Sequence, residues 1–113
     1  MRENKDKRWL ERMLGEIEDI EQFILNVTEN QFMFNKEKQK AICLSLQNIG
    51  EYVKNISDRL KSKHNDIEWS GIYGFRNIVA HDYAKIRMEQ VWQMVQNDLP
   101  KLRHDIEKMI SEL

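Results

Sequence analysis

The stretch Gly74-Phe75-Arg76-Asn77-Ile78-Val79-Ala80-His81-Asp82-Tyr83 concentrates most of the polar chemistry of this chain. An arginine can hold two phosphate or carboxylate oxygens in a fork and stabilise charge that grows on them. A histidine, with an unperturbed pKa of about 6.5, serves as general base or acid at neutral pH. On a regular helix each residue advances by about 100°, so Arg76 and Tyr83, seven apart, project from nearly the same face. His81 is five from Arg76 and points well away from it. Two arrangements bring the pair together: the helix ends or distorts near His81, or Arg76 of one protomer works beside His81 of another. Each residue also has an ordinary reading. Arg76 could pair with Asp82 or a loop carboxylate, His81 suits a helix C-terminus, and Tyr83 could be a core residue with a wet hydroxyl.

Helices must position these groups. Leu10, Met13, Ile17, Ile20, Ile24 and Val27 form one apolar stripe, which predicts a helix from about Lys7 to Val27. Thr28 and Gln31 then stand in capping-box spacing, and Thr28 to Phe34 reads as a break with room for one short turn. Asn35 is the expected cap of a second long helix whose stripe, Ile42, Leu46, Ile49, Val53, Ile56 and Leu60, carries it to about Lys61. Gly50 inside it costs roughly 1 kcal/mol relative to Ala unless close packing needs the space. Ser62 to Asn65 reads as a polar loop, with Asn65 or Asp66 capping a third helix over roughly 67–83. That helix places Arg76 where its stripe, Trp69, Ile72, Val79 and Tyr83, calls for an apolar residue. A last apolar run from Met88 to Leu113 is interrupted by Pro100, which should start a new, kinked helix with Asp98 near its N-terminus.

The chain has 113 residues, 41% hydrophobic and 33% charged, a composition suited to one globular domain over 1–113. With 4 Gly and 1 Pro it is poor in turn formers, so the expected fold is all-α: an antiparallel up-and-down bundle of four to five helices. The single Cys43 excludes an internal disulfide and sits among apolar residues as a core residue. No apolar stretch is long enough for a signal peptide or a membrane span, so the expected location is cytoplasmic and no membrane partner is expected. His64 and His104 lie far apart without paired ligands, so no metal site is expected. There is no Gly-rich phosphate loop, and no cofactor is expected. Trp9, Trp69 and Trp92 sit on or beside apolar stripes and read as packing residues.

The pattern Arg-x4-His-x-Tyr, written as Arg76, His81 and Tyr83, resembles the signature of HEPN domains and specifically of the HepT-like toxin family. Ser45-Leu46-Gln47-Asn48-Ile49-Gly50-Glu51, Trp69 upstream of the motif, and Asp98-Leu99-Pro100 before a closing apolar helix are similar to the family's layout. The resemblance, which spans nearly the whole chain, implies a HEPN-like bundle that dimerises, with paired motifs meeting in a cleft at the dimer interface. It implies an endoribonuclease toxin whose partner is a small MNT-type nucleotidyltransferase antitoxin. Carried over, Arg76 and His81 would be catalytic and Asn77 and Asp82 supporting, with Tyr83 the site modified with AMP.

RNA brings its own nucleophile, the 2′-hydroxyl, so metal-independent cleavage needs only a proton carrier and a charge stabiliser. The expected reaction is transesterification to a 2′,3′-cyclic phosphate, with His81 moving the proton and Arg76 on the phosphate. The net charge of −1 argues against broad electrostatic binding of nucleic acid. Contact with an RNA substrate would rest on a local cluster of Arg59, Lys61, Lys63, Lys85 and Arg87 around Arg76. The rival reading is a non-catalytic helical module whose groove holds a nucleotide or docks the nucleotidyltransferase. A purely structural helical dimer is a third.

Overall fold

The computed structural model describes residues 2–113, with side chains from Lys5 onward. The first helix, α1 (Arg2–Ile24), begins before the expected Lys7, because the run ahead of it holds three good helix formers, Arg2, Glu3 and Lys5, and neither Gly nor Pro. It ends before Val27 because Asn26 adopts φ 60°, a left-handed conformation that asparagine tolerates. Thr28 and Gln31 make the expected capping box: the Gln31 N–H donates to Thr28 Oγ1 at 3.1 Å, and the Thr28 N–H donates to Gln31 Oε1 at 2.9 Å. This starts the short α2 (Glu29–Met33), which seats Phe32 in the core against the ring of Trp92, 5.3 Å away.

Asn35 caps α3 (Lys36–Val53) through the Lys38 N–H, as its sequence position predicts. The expected continuation to Lys61 does not occur. Asp6 of α1, 4% exposed, accepts from both the Ser57 N–H at 2.9 Å and the Ser57 hydroxyl at 2.6 Å. The Ser57 N–H is thereby lost to helix bonding, and the same hydroxyl accepts from the Leu60 N–H to cap α4 (Asp58–Lys63). The apolar stripe survives the break, since Val53, Ile56 and Leu60 all remain buried.

The third long helix, α5 (Trp69–His81), is shorter at both ends than 67–83. Neither Asn65 nor Asp66 caps it. Its N-cap is Glu68, which makes no side-chain capping bond, and the Trp69 indole instead anchors the start by donating to the His64 carbonyl at 3.0 Å. At the other end the Asp82 N–H closes on the Ile78 carbonyl, and Tyr83–Lys85 form a 3-10 turn. The last run is α6 (Met88–Gln93), a π-helical segment Met94–Asp98, and α7 (Leu99–Glu112) with Pro100 in its first turn. Asp98 stays in helical conformation and makes no side-chain cap, so Pro100 is accommodated through a widened turn.

The fold is all-α, with no strand among the described residues. α3 lies at the centre, antiparallel to α1, as the Asp6–Ser57 contact at one end and the Lys38–Phe23 contact at the other require. α5 packs on its second side, α7 covers α1, and α2 braces α3 and α6. No described helix is long and apolar enough to cross a membrane.

Candidate active site

The site grows from a close approach of α3 and α5. A Cβ added to Gly50 would stand 2.5 Å from Arg76 Cβ and 3.1 Å from the Ile72 carbonyl oxygen. Glycine is what allows the helices to close here, which answers why a residue unfavourable to a helix sits in the middle of α3. Glu51, next in sequence, then meets the Arg76 guanidinium: Arg76 Nε donates to Glu51 Oε1. Arg76 Nη1 donates to Asn77 Oδ1 at 2.6 Å, and the Tyr73 ring lies 5.5 Å from the guanidinium carbon. Two acceptors and a ring face thus fix the guanidinium plane. Neither hydrogen bond uses Nη2, so its N–H groups remain open to an anion. Glu51 is the site contact that sequence reasoning missed. Its signal was adjacency to Gly50, the one glycine of α3, on a position off the apolar stripe.

His81 is the last residue of α5; its imidazole is exposed and makes no hydrogen bond or ion pair among the described residues. The helix is regular from Arg76 to His81, so five residues of α-geometry separate the two by about 7.5 Å of rise and point them well apart. Asp82 pairs with Lys85 at 3.2 Å on the surface and does not reach Arg76.

Tyr83 does not share a helical face with Arg76, because α5 has ended before it. Its ring turns inward and packs partly buried against the core. Burial raises the phenol pKa, and the neighbouring Cys43 of α3 raises it further. The Cys43 thiol, 1% exposed, is itself pushed up to about 11 by burial. It is a core residue, as its sequence setting predicts.

The expected basic cluster is divided. Arg59, Lys61 and Lys63 lie on or beside α4, at the end of the bundle where α5 begins. Lys85 and Arg87 follow its other end, about 18 Å further along a 13-residue helix. Only Lys85 and Arg87 stand near His81 in the chain's course. Among the described residues no three His, Cys, Asp or Glu side chains are grouped to hold a metal ion; His64 lies 3.8 Å from Glu112.

A helical bundle with an anchored arginine at mid-helix and an exposed histidine at the same helix's end is the class that fold and site define. The chain belongs to the ribonuclease HepT-like family, whose profile matches residues 13–109. It is 34% identical over 110 residues to a protein of Methanocaldococcus jannaschii named "Putative RNase", covering 96% of this chain and 91% of that one. It is 32% identical over 103 residues to a "Probable ribonuclease HepT" of Thermococcus cleftensis, covering 91% and 94%. A third relative, a "Gamma-glutamylcyclotransferase and putative RNase" of Methanocaldococcus jannaschii, is 33% identical over 107 residues; these are 95% of this chain but 48% of that protein. The chain therefore spans about half the length of that relative. No solved structure matches it.

Proposed function

We propose that this chain is a metal-independent RNA endonuclease, acting as the toxin of a toxin–antitoxin pair, with Arg76 and His81 as its catalytic residues. The observation that carries the reading is the state of Arg76. Its guanidinium is immobilised by Glu51 and Asn77 with the Nη2 edge left for an anion. Membership of a ribonuclease family and the names of its relatives favour RNA as the source of that anion.

In this mechanism Arg76 holds the scissile phosphate and His81 takes the 2′-hydroxyl proton as the oxygen attacks phosphorus. The bond to the 5′-oxygen breaks, that oxygen is protonated, and a 2′,3′-cyclic phosphate remains. The regular helix between Arg76 and His81 supports a cleft in which Arg76 of one protomer faces His81 of a second. Exposed apolar residues support a pairing face: Leu44, on the α3 stripe of Glu51, is 57% exposed and Ile78, two residues past Arg76, is 45% exposed. Such pairing would also double the local positive charge in a chain of net charge −1.

Tyr83 is the acceptor of AMP from an MNT-type nucleotidyltransferase in this reading. A tyrosine phenol is protonated at neutral pH, and burial shifts it further that way, so the transferring partner must supply the base. The test is cleavage of a mixed cellular RNA pool in EDTA by wild type, Arg76→Ala and His81→Ala. Wild-type cleavage with a loss of about 100-fold or more in each variant is the expected result. A dimeric, unmodified wild-type protein that leaves RNA intact would instead favour the non-catalytic nucleotidyltransferase-binding module.

A further inference from the structure

α5 carries a second face, Glu68, Gly71, Ile72 and Phe75, that does not serve Arg76. These residues form one wall of a cavity of about 370 Å³ lying between α5 and α7, with Leu46 and Ile49 of α3 as its floor. The groove exists because α5 packs on α3 while α7 packs on α1, and the two outer helices do not close on each other. Two backbone features keep it open. Gly71 puts no side chain into it, and a Cβ there would meet only Glu68 Cβ, at 3.8 Å. The opposite wall includes Met94 and Asp98, the two ends of the π-helical segment.

The floor and walls are apolar, while the charges stand on both banks: Asp66 and Glu68 beside α5, Asp98 and Asp105 beside α7. Lys101 compensates Asp105 at 3.2 Å. Asp66, Glu68 and Asp98 are exposed and have no ion-pair partner among the described residues. Three uncompensated carboxylates repel phosphate, so this side of α5 is not an RNA surface. A small-molecule site would gather its polar groups within the cavity. Here they stand on both sides of an apolar groove, which matches a ligand with an apolar stripe flanked by cations.

We propose that this groove docks a basic amphipathic helix of a partner protein, its apolar anchors seated between α5 and α7 and its Lys or Arg residues paired with Asp66, Glu68 and Asp98. The site uses none of Arg76, His81 or Tyr83 and stands or falls apart from the nuclease reading.

The test uses the full chain and two labelled helical peptides that share a leucine stripe at i, i+3, i+4 and i+7. One carries lysine on its flanks, the other glutamate. Fluorescence anisotropy should show binding of the Leu/Lys peptide that weakens with salt, and none of the Leu/Glu peptide. Gly71→Leu, which fills the trough, should weaken binding about tenfold or more, and the double variant Glu68→Gln/Asp98→Asn about tenfold at low salt. Both variants should retain wild-type circular dichroism; if Gly71→Leu does not, the charge variant alone decides. Absence of Leu/Lys binding, equal binding of both peptides, or wild-type affinity in the charge variant would overturn the proposal. So would a change in the sedimentation of Gly71→Leu without peptide, which would make the groove a contact between copies.

Discussion

The two faces of α3 are built from opposite materials. Toward α1 it meets Leu10, Met13, Ile17 and Ile20, each 0% exposed, with Ile42, Ile49 and Val53. That seam is made of interdigitated branched and unbranched apolar side chains, and any residue of similar size and hydrophobicity would serve it. Toward α5 it offers Gly50, Glu51 and Cys43, and receives the Arg76 stem, a carbonyl oxygen and the Tyr83 ring. Here the helices approach backbone to side chain, and a single added carbon has nowhere to go. The first seam supplies stability without specifying chemistry. The second fixes the plane of one guanidinium and leaves far fewer substitutions open.

The contrast can be broken by mutation. Ile17→Ala should lower unfolding free energy by about 2–5 kcal/mol in urea melts, the range for an aliphatic truncation in a full core. RNA cleavage at a temperature well below the melt should be unchanged. Gly50→Ala should lower stability by about 1–3 kcal/mol, even though alanine gains roughly 1 kcal/mol in helix propensity. Unlike Ile17→Ala, it should also depress cleavage, because Arg76 must shift. A neutral Gly50→Ala would mean that the two seams do not differ in kind.

The smallest expected effect is alkaline. The buried Cys43 thiol has its pKa raised from 9.0 to about 11, so the folded chain keeps this proton where the unfolded chain releases it. The stabilisation is full below pH 9 and is lost as pH rises toward 11. The raised pKa of Tyr83 acts in the same direction. Melting temperatures taken across that window should fall, and Cys43→Ala should fall less steeply. Equal slopes would remove the thiol from the account.

Much of the bundle was legible in the sequence because its helices bury stripes at regular spacing, as with Leu10 to Ile20 and Ile42 to Val53. The capping box at Thr28 and the cap at Asn35 were legible because each acts over three residues. The break at Ser57 was not, since it is made by Asp6, 51 residues away, while the stripe runs on unbroken. At the site, Arg76 announced itself by standing in an apolar register. Its partner Glu51 is 25 residues distant, and no local spacing connects the two. The inward turn of Tyr83 was hidden for a related reason: the helix that would have kept it beside Arg76 ends at His81.

The widened turn at Met94–Asp98 leaves a mark on the sequence itself. The buried positions Val91, Val95, Leu99, Ile106 and Met109, with the half-buried Leu102 between Leu99 and Ile106, step 4, 4, 3, 4, 3. Two fours in succession put the later half out of phase with the earlier, as an inserted residue does to a repeating pattern. Removing one residue from the turn would restore ordinary helix but rotate everything beyond it by about 100°. Ile106 and Met109 would then swing away from α1. The irregularity and the pattern after it are therefore locked together, and neither can be corrected without rewriting the other.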